Sequence, residues 1–484
     1  MLILDKAEWH KAADVVVVGY GAAGAVAAIA ARDHGADVLL LEKQPSETHA
    51  STSSMSQGAF LSPPDAKSTL EYLRLLTGVD EGTSWTDLET LRVFAELASE
   101  NREWMEQFGG ELDRRNAIGS HRELPGSELL QLYHFEGRGA GLMAYLKGVV
   151  DRYETEVMYG VSTERLIVNH RGEVIGVTAR GEGGAQINIK AARGVVLATG
   201  GFEFNEAMKL QYLRCHPFHF SGSTANTGDG IRMAAGIGAE LWHMNCTAAG
   251  LVMKVPENPR GLSPAIRTRA GCGYIIVDRT GRRFTNENYK PHHVNYELAL
   301  YDSRALSYPR IPCFWIMDHR RIADGPLTST EMARSYAEWS EDNSREIEMG
   351  WIRRADTVRE LGRQLGIDAD NLQKTVQNYN SYCRNNADLE FRRRPQSLIP
   401  LDTPPFYGVS LWPGGSNTLG GPRHNYKSQV MNVDGEPVPG LYAAGEMGSN
   451  FGMLYEGGGN LAECISFGRL AGENAAKEKP RSVA

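Results

Sequence analysis

Three features of the sequence predict an α/β fold with a second domain inserted into it. A strand, glycine turn, helix and second strand follow one another near the N-terminus. Buried strands and glycine-rich turns resume near the C-terminus. Between them lies a stretch of different composition. At 484 residues the chain exceeds the roughly 100 to 200 residues usual for one domain, so two or three domains are expected. The 42% hydrophobic and 23% charged content is that of an ordinary globular protein. The 53 glycines are well above the ordinary share of about 7%. They imply many points where backbone turns sharply or approaches a ligand.

The first element is DVVVVGYGAAGAVAAIAARDHGADVLLLEK, a βαβ unit. Gly19-x-Gly21-x-x-Gly24 follows four valines and opens a helix, and Glu42 ends the second strand where a ribose-binding acid is expected. Gly19 permits the tight turn, Gly21 lets backbone amides approach a pyrophosphate, and Gly24 lets the helix lie close to the sheet. The unit is therefore of Rossmann type. Next, RLIVNHRGEVIGVTA reads as a hairpin turning at His170 to Gly172, and GVVLATGG at 194 to 201 as a buried strand ending on glycines. From about Asn245 to Leu401 there are fewer buried strand runs and more aromatic and charged residues, with an amphipathic stretch from Arg354 to Asn380. From Pro404 the glycine-rich turns return, with the strand GLYAAGE and a helix from Leu461 to Ala476. The expected division is 1–244 and 402–484 for the dinucleotide-binding domain, and 245–401 for an inserted α+β domain.

A net charge of −8 provides no basic field for a phosphate backbone, so nucleic acid is not an expected partner. The run Arg392 to Arg394 reads as a solvated edge. The six cysteines form no Cys-x-x-Cys pair, so no metal or iron-sulfur site is expected, and reduced thiols point to the cytoplasm. The residues before the first strand are too few and too charged for a secretory signal, and no apolar run approaches a membrane span.

Taken in order, GYGAAG with Glu42, TSSMSQG, VVLATGGF, NTGDGIRMA, GRRFTNE, and GLYAAGE followed by GGGNLAECISFGRLAG resemble the fumarate reductase and succinate dehydrogenase flavoproteins. Within that family the 3-ketosteroid dehydrogenase branch is the most similar. The resemblance implies an FAD domain built from both chain ends and an inserted substrate-capping domain. It implies that Ala23, Lys43, Thr52, Ser53, Gln57 and Gly58 line the cofactor, with Ala198, Thr199, Gly200 and Asp229 close by. Gly445 would lie at the cofactor, Glu446 would hold the ribityl hydroxyls, and Asn460 and Leu461 would begin a helix whose amides face the flavin. Thr52 stands where succinate dehydrogenases carry the histidine that bonds covalently to FAD, and His49 lies three residues too early, so the implied FAD is non-covalent.

The same resemblance places Tyr455 and Gly459 at a substrate ketone, as a hydroxyl and an amide donor. An enolate oxygen must be held in this way before a neighbouring carbon can lose its proton, with hydride passing to or from flavin N5. For the acid or base, RFTNENYKPHHVNY offers Tyr289, favoured narrowly, and His292, among Lys290, His293 and Tyr296. Arg267 and Arg269 are candidate anion contacts. Trp242, Trp412, Phe451 and Met453 are candidate walls of an apolar pocket. Glu456 replaces a dicarboxylate-binding arginine, and Ser416 and Asn417 stand where a histidine would precede TLGG, which disfavours fumarate or succinate. The leading expectation is an FAD-dependent oxidoreductase acting on a carbon-carbon bond beside a carbonyl of a small-molecule ketone or enone. The alternatives are an enoate or fumarate-reductase-like enzyme for a non-steroid unsaturated acid, with Arg269 on its carboxylate, and a flavin-binding subunit without turnover. The absence of a second strand-to-helix GxGxxG puts the electron donor or acceptor outside the chain.

Overall fold

The structure is a computed structural model that describes residues 2–3, 8–82, 86–115, 120–266, 271–289, 291–328 and 338–481. The chain divides into two compact units, one of Met1–Met208, Gly222–Thr247 and Asn417–Ala484, the other of Lys209–Ser221 and Ala248–Ser416. Read from the sequence, the boundaries were 244 and 401. By contacts, residues up to Ser416 and the short segment Lys209–Ser221 go with the second unit.

The first unit is built on a nine-stranded sheet. Lys11–Val18 lies parallel to Val38–Leu41 on one side and to the end of Gln186–Leu197 on the other. Residues Val15 to Val17 and Val38 to Leu41 are buried, as expected for parallel strands covered on both faces. The strand Gln186–Leu197 has two further partners: its first half pairs antiparallel with Val174–Arg180, and its last residues pair parallel with Pro437–Ala443. A strand from the C-terminal end thus completes the N-terminal sheet. The expected hairpin is present as Ser162–Val168 against Val174–Arg180, with Gly172 at φ 76° in its turn.

Helix Ala22–Asp33 packs against the C-terminal helix Gly459–Lys477. The approach is close because both surfaces are small. A Cβ on Gly472 would lie 2.1 Å from the Ala27 carbonyl oxygen, and one on Gly468 2.9 Å from that of Ala23.

The second unit holds a seven-stranded sheet whose long strand Phe406–Thr418 pairs antiparallel with Cys313–Asp318, itself paired with Tyr274–Val277. The amphipathic stretch forms two helices, Val358–Leu365 and Ala369–Arg384, separated by Gly366 at φ 68° and restarted by the Asp368 cap. Leu361, Leu372, Val376 and Tyr379 on these helices pack with Ile275, Val277, Phe314 and Ile316 of the sheet. The sequence suggested few buried strands in this region, yet Cys313–Asp318 and Tyr274–Val277 are buried throughout. They are only six and four residues long, too short to stand out as periodic runs. All six cysteines are free thiols. No helix among the described residues is long and apolar enough to cross a membrane.

Candidate cofactor cleft and active site

The first unit contains a solvent-open cleft lined by the glycine turn, the end of the second strand, the short helix Thr52–Met55 and the segment Ala444–Glu446. At one end is the glycine turn. Gly19 has φ 103°, and a Cβ there would sit 2.4 Å from the Ala198 carbonyl oxygen, while one on Gly24 would sit 1.9 Å from that of Gly19. Both positions demand glycine for packing. Gly21 differs, because a Cβ there would meet nothing closer than Ser53 Oγ at 3.6 Å. As the N-cap of helix Ala22–Asp33 it supplies no side chain of its own to the helix amides. Ala22 N donates to Ser53 Oγ at 3.2 Å. An open helix N-terminus with glycine at its mouth suits a pyrophosphate.

Glu42 is buried beside this turn. Its two carboxylate oxygens accept from Tyr20 N at 3.0 Å and Gln44 N at 2.8 Å. Lys43 Nζ bonds Asp229 Oδ2 at 2.6 Å and Thr227 Oγ1 at 2.9 Å. Thr52, on the short helix Thr52–Met55, accepts from Ser223 N at 3.0 Å and Asn226 Nδ2 at 3.2 Å.

At the other end Glu446 accepts from Gly201 N at 3.0 Å and Asn226 Nδ2 at 2.8 Å. Burial and the nearby Glu203 carboxyl push Glu446 well above the usual carboxylate range. Glu203 is fully buried, accepts from Thr418 N and Oγ1, and its Oε2 has no hydrogen-bond partner. Burial raises Glu203 too. Burial and the charge of its neighbour each favour the protonated form of Glu446.

Of the expected cofactor residues, Gly19, Gly21, Ala23, Glu42, Lys43, Thr52 and Ser53 line the cleft, as do Ala198, Thr199, Gly200, Asp229, Gly445 and Glu446. Gly24, Gln57, Gly58, Asn460 and Leu461 are not among its lining residues. Gln57 Oε1 accepts from Arg138 Nη1 at 2.7 Å, and Gly58, at φ 67°, packs where a Cβ would strike the Arg138 backbone at 2.2 Å. These two therefore seat helix Arg138–Arg152. Leu461 is a core residue, 7% exposed. Asn226, Ser223 and Tyr20 line the cleft without having been singled out. Asn226 begins the NTGDG motif, which was the available signal. Glu203 lies one residue past VVLATGGF, an acid where a buried strand has just ended.

Tyr455 stands at the start of the C-terminal helix. Its hydroxyl oxygen accepts from Asn460 N at 3.3 Å, and its ring meets the Phe451 edge at 5.4 Å. Burial raises its pKa far above the ordinary phenol value, so the hydroxyl keeps its proton. Asn460 Nδ2 donates to Asn417 Oδ1 at 2.6 Å, and Asn460 Oδ1 is buried without a hydrogen-bond partner. Two expected helix amides are already engaged: Gly459 N donates to the Glu456 carbonyl at 2.9 Å, and Asn460 N to Tyr455. Gly459 is required for space instead, since a Cβ would lie 2.4 Å from the Phe451 ring.

Glu456 is 1% exposed, bonded by the Tyr72 hydroxyl and by Ser120 N at 2.8 and 3.0 Å to its two oxygens. Tyr289 belongs to the second unit, is 53% exposed, and lies 6.0 Å from the His293 ring. His292 falls in helix Pro291–Leu298, but its side chain lies outside the described residues, as do Arg267, Arg269 and Lys290.

A family model described as an FAD binding domain matches residues 14–461, and the chain belongs to that family. It is an FAD-dependent oxidoreductase of the group that includes fumarate reductases and 3-oxosteroid dehydrogenases. It is 28% identical over 481 residues to a probable fumarate reductase of Shewanella frigidimarina, covering 96% of this chain and 74% of the relative. It is 31% identical over 363 residues to a 3-oxosteroid 1-dehydrogenase of Mycobacterium tuberculosis, covering 69% and 62%. The fold is that of 3-ketosteroid delta1-dehydrogenase from Sterolibacterium denitrificans, solved with 1,4-androstadiene-3,17-dione. The TM-score is 0.83 at 22% identity, with 96% of this chain and 99% of that one covered.

Proposed function

We propose that the chain acts on a carbon-carbon bond next to the carbonyl of a small-molecule ketone or enone, with Tyr455 as the donor that holds the carbonyl oxygen. The observation that carries this reading is the Tyr455 hydroxyl. Burial keeps it protonated, so it acts as a donor and not as a base. Its oxygen already accepts from the Asn460 amide, which leaves its hydrogen to give. The donor also sits at the N-terminus of a 19-residue helix, where partial positive charge favours a developing oxyanion. Relatives named for fumarate and for 3-oxosteroids support the reaction class.

When bound, FAD supplies the two-electron partner for the hydride. The open amides at Gly21 are proposed to hold its pyrophosphate, Glu42 its adenosine ribose, and Glu446 with Asn226 its ribityl chain. Tyr289 is the proposed acid or base on its sequence position, with His292 as the rival. The electron partner is an external molecule.

The FAD is held without a covalent bond. No histidine is among the residues lining the cleft, and Thr52 fills the position of the attaching residue. Acid or heat precipitation is expected to leave all the flavin in the supernatant. Flavin that stays with washed, denatured polypeptide contradicts this.

Glu456 supports a ketone over a dicarboxylate. A buried, hydrogen-bonded acid stands where a substrate carboxylate would need a cation, and like charges repel. The test is anaerobic reoxidation of chemically reduced protein. Enones are expected to reoxidise it at least a hundredfold faster than fumarate. Rapid reoxidation by fumarate at neutral pH overturns the ketone reading.

A further inference from the structure

Glu463 lies one turn into the C-terminal helix Gly459–Lys477, is 1% exposed, and has no part in the reading above. An acid is costly to bury unless its oxygens are hydrogen-bonded, and here both are. Ser449 Oγ donates to Glu463 Oε2 at 2.6 Å, and Asn450 N donates to Oε1 at 2.5 Å. Both partners belong to the buried loop that leads from the cofactor cleft to Tyr455.

The rest of that loop is anchored group by group. Ser449 N donates to the Leu419 carbonyl at 3.0 Å, and the Ser449 carbonyl accepts from His243 Nδ1 at 2.6 Å. The Asn450 carbonyl accepts from Thr86 Oγ1 at 2.6 Å, and Phe451 N donates to Ser449 Oγ at 3.1 Å. Every backbone donor and acceptor from Ser449 N to Phe451 N is thus engaged, and Glu463 holds the Asn450 amide and the hydroxyl that receives Phe451 N. The loop delivers the Phe451 ring. That ring meets Phe94 at 5.8 Å and Tyr455 at 5.4 Å, edge to face in both cases, and leaves no room for a Cβ on Gly459, which would lie 2.4 Å away. A shift of Phe451 therefore moves the surface on which the Tyr455 ring rests, and with it the hydroxyl that accepts from Asn460 N.

We propose that Glu463 is a positioning residue: by fixing Ser449 and Asn450 it holds the Phe451 ring against Tyr455 and keeps the Tyr455 hydroxyl aimed at the substrate carbonyl. This rests on the reading of Tyr455 as the carbonyl donor. Without the Glu463 oxygens the Asn450 amide is left buried and unpaired, which is costly, so the loop shifts to find another acceptor. A misplacement of about 1 Å is enough to cost on the order of a hundredfold in rate.

The test mixes the FAD-loaded, chemically reduced chain with cyclohexenone or with 1,4-androstadiene-3,17-dione and follows flavin reoxidation, so that every rate is counted per bound FAD. Glu463→Leu removes both acceptors. Its limiting rate is expected to fall about tenfold to a hundredfold, with the half-saturating enone concentration within about threefold of the wild type. Glu463→Gln keeps an acceptor for Asn450 N and a polar partner for the Ser449 hydroxyl, which can accept as well as donate, so it should recover most of that loss. Burial pushes the Glu463 pKa up to about 8, which makes the neutral amide a close replacement at neutral pH. Ser449→Ala cuts the link between Glu463 and Phe451 N, should slow the same step, and serves if the leucine variant does not fold. The decisive comparison is made in Tyr455→Phe, where Glu463→Leu or Ser449→Ala should cost no more than about twofold further, because the hydroxyl they aim is gone. Equal losses in the two backgrounds, no loss beside an intact Tyr455, or no recovery in Glu463→Gln overturns the proposal. A Tyr455→Phe protein reoxidised at the wild-type rate, or a wild type that neither enone reoxidises, overturns the Tyr455 reading on which it rests.

Discussion

Gly21→Leu is expected to purify folded and without flavin. The new side chain meets no backbone, because the nearest atom to a Cβ at this position is Ser53 Oγ at 3.6 Å. The leucine therefore extends into the cleft, over the N-terminal amides of helix Ala22–Asp33. It takes the volume a pyrophosphate needs and covers the donors that would bind it. The far-ultraviolet circular dichroism should match the wild type while the visible flavin absorption is lost. Gly19→Ala is the contrasting variant. At φ 103° and 2.4 Å from the Ala198 carbonyl oxygen, its methyl group disturbs the sheet itself, so the folded yield should fall. Full FAD occupancy in Gly21→Leu would mean that the pyrophosphate lies elsewhere.

Tyr455→Phe is expected to keep fold and FAD while turnover of the best ketone falls by about a hundredfold or more, the usual loss when one oxyanion donor is removed. The ring contact with Phe451 survives, and only the hydroxyl and its bond from Asn460 N disappear. The loss should fall mainly on kcat, because the donor matters most when charge develops on the carbonyl oxygen. Tyr289→Phe should slow the same step, and His292→Ala tests the rival assignment. Wild-type turnover in Tyr455→Phe would leave the FAD cleft standing and remove the ketone mechanism.

What could be read from the sequence was what is local. Gly19-x-Gly21-x-x-Gly24 and Glu42 lie within one βαβ unit, where spacing alone fixes the turn, the helix start and the strand end. The return of the chain to the first sheet was legible in GLYAAGE, because Pro437–Ala443 is a short, mostly buried strand bounded by turn residues. Membership of a motif did not give direction. Gln57 and Gly58 sit in a recognisable stretch, yet one is engaged by Arg138 and the other packs beneath that residue's backbone. Gly459 is where its motif puts it, but its amide closes the local turn to Glu456.

The interactions that no spacing rule reaches are long-range. Asn226 bonds Glu446 across 220 residues of chain, and Glu203 bonds Thr418 across 215. Lys147 reaches His49 across 98. Each depends on strands or helices brought together by the sheet, so these partners emerge only once the fold is known. The buried acid pair of Glu203 and Glu446 is the clearest case, because neither residue's surroundings are visible from its neighbours in sequence.

The most direct test of the central claim is the mass of the product formed from an enone by the FAD-loaded chain, supplied anaerobically with a chemical electron donor. Action on the carbon-carbon bond beside the carbonyl predicts a product heavier by two hydrogens, with the carbonyl intact and no oxygen gained. It also predicts that Tyr455→Phe forms the same product at about a hundredth of the rate or less. Reduction of the carbonyl to an alcohol, or no product while the flavin cycles normally with the chemical donor, would contradict it.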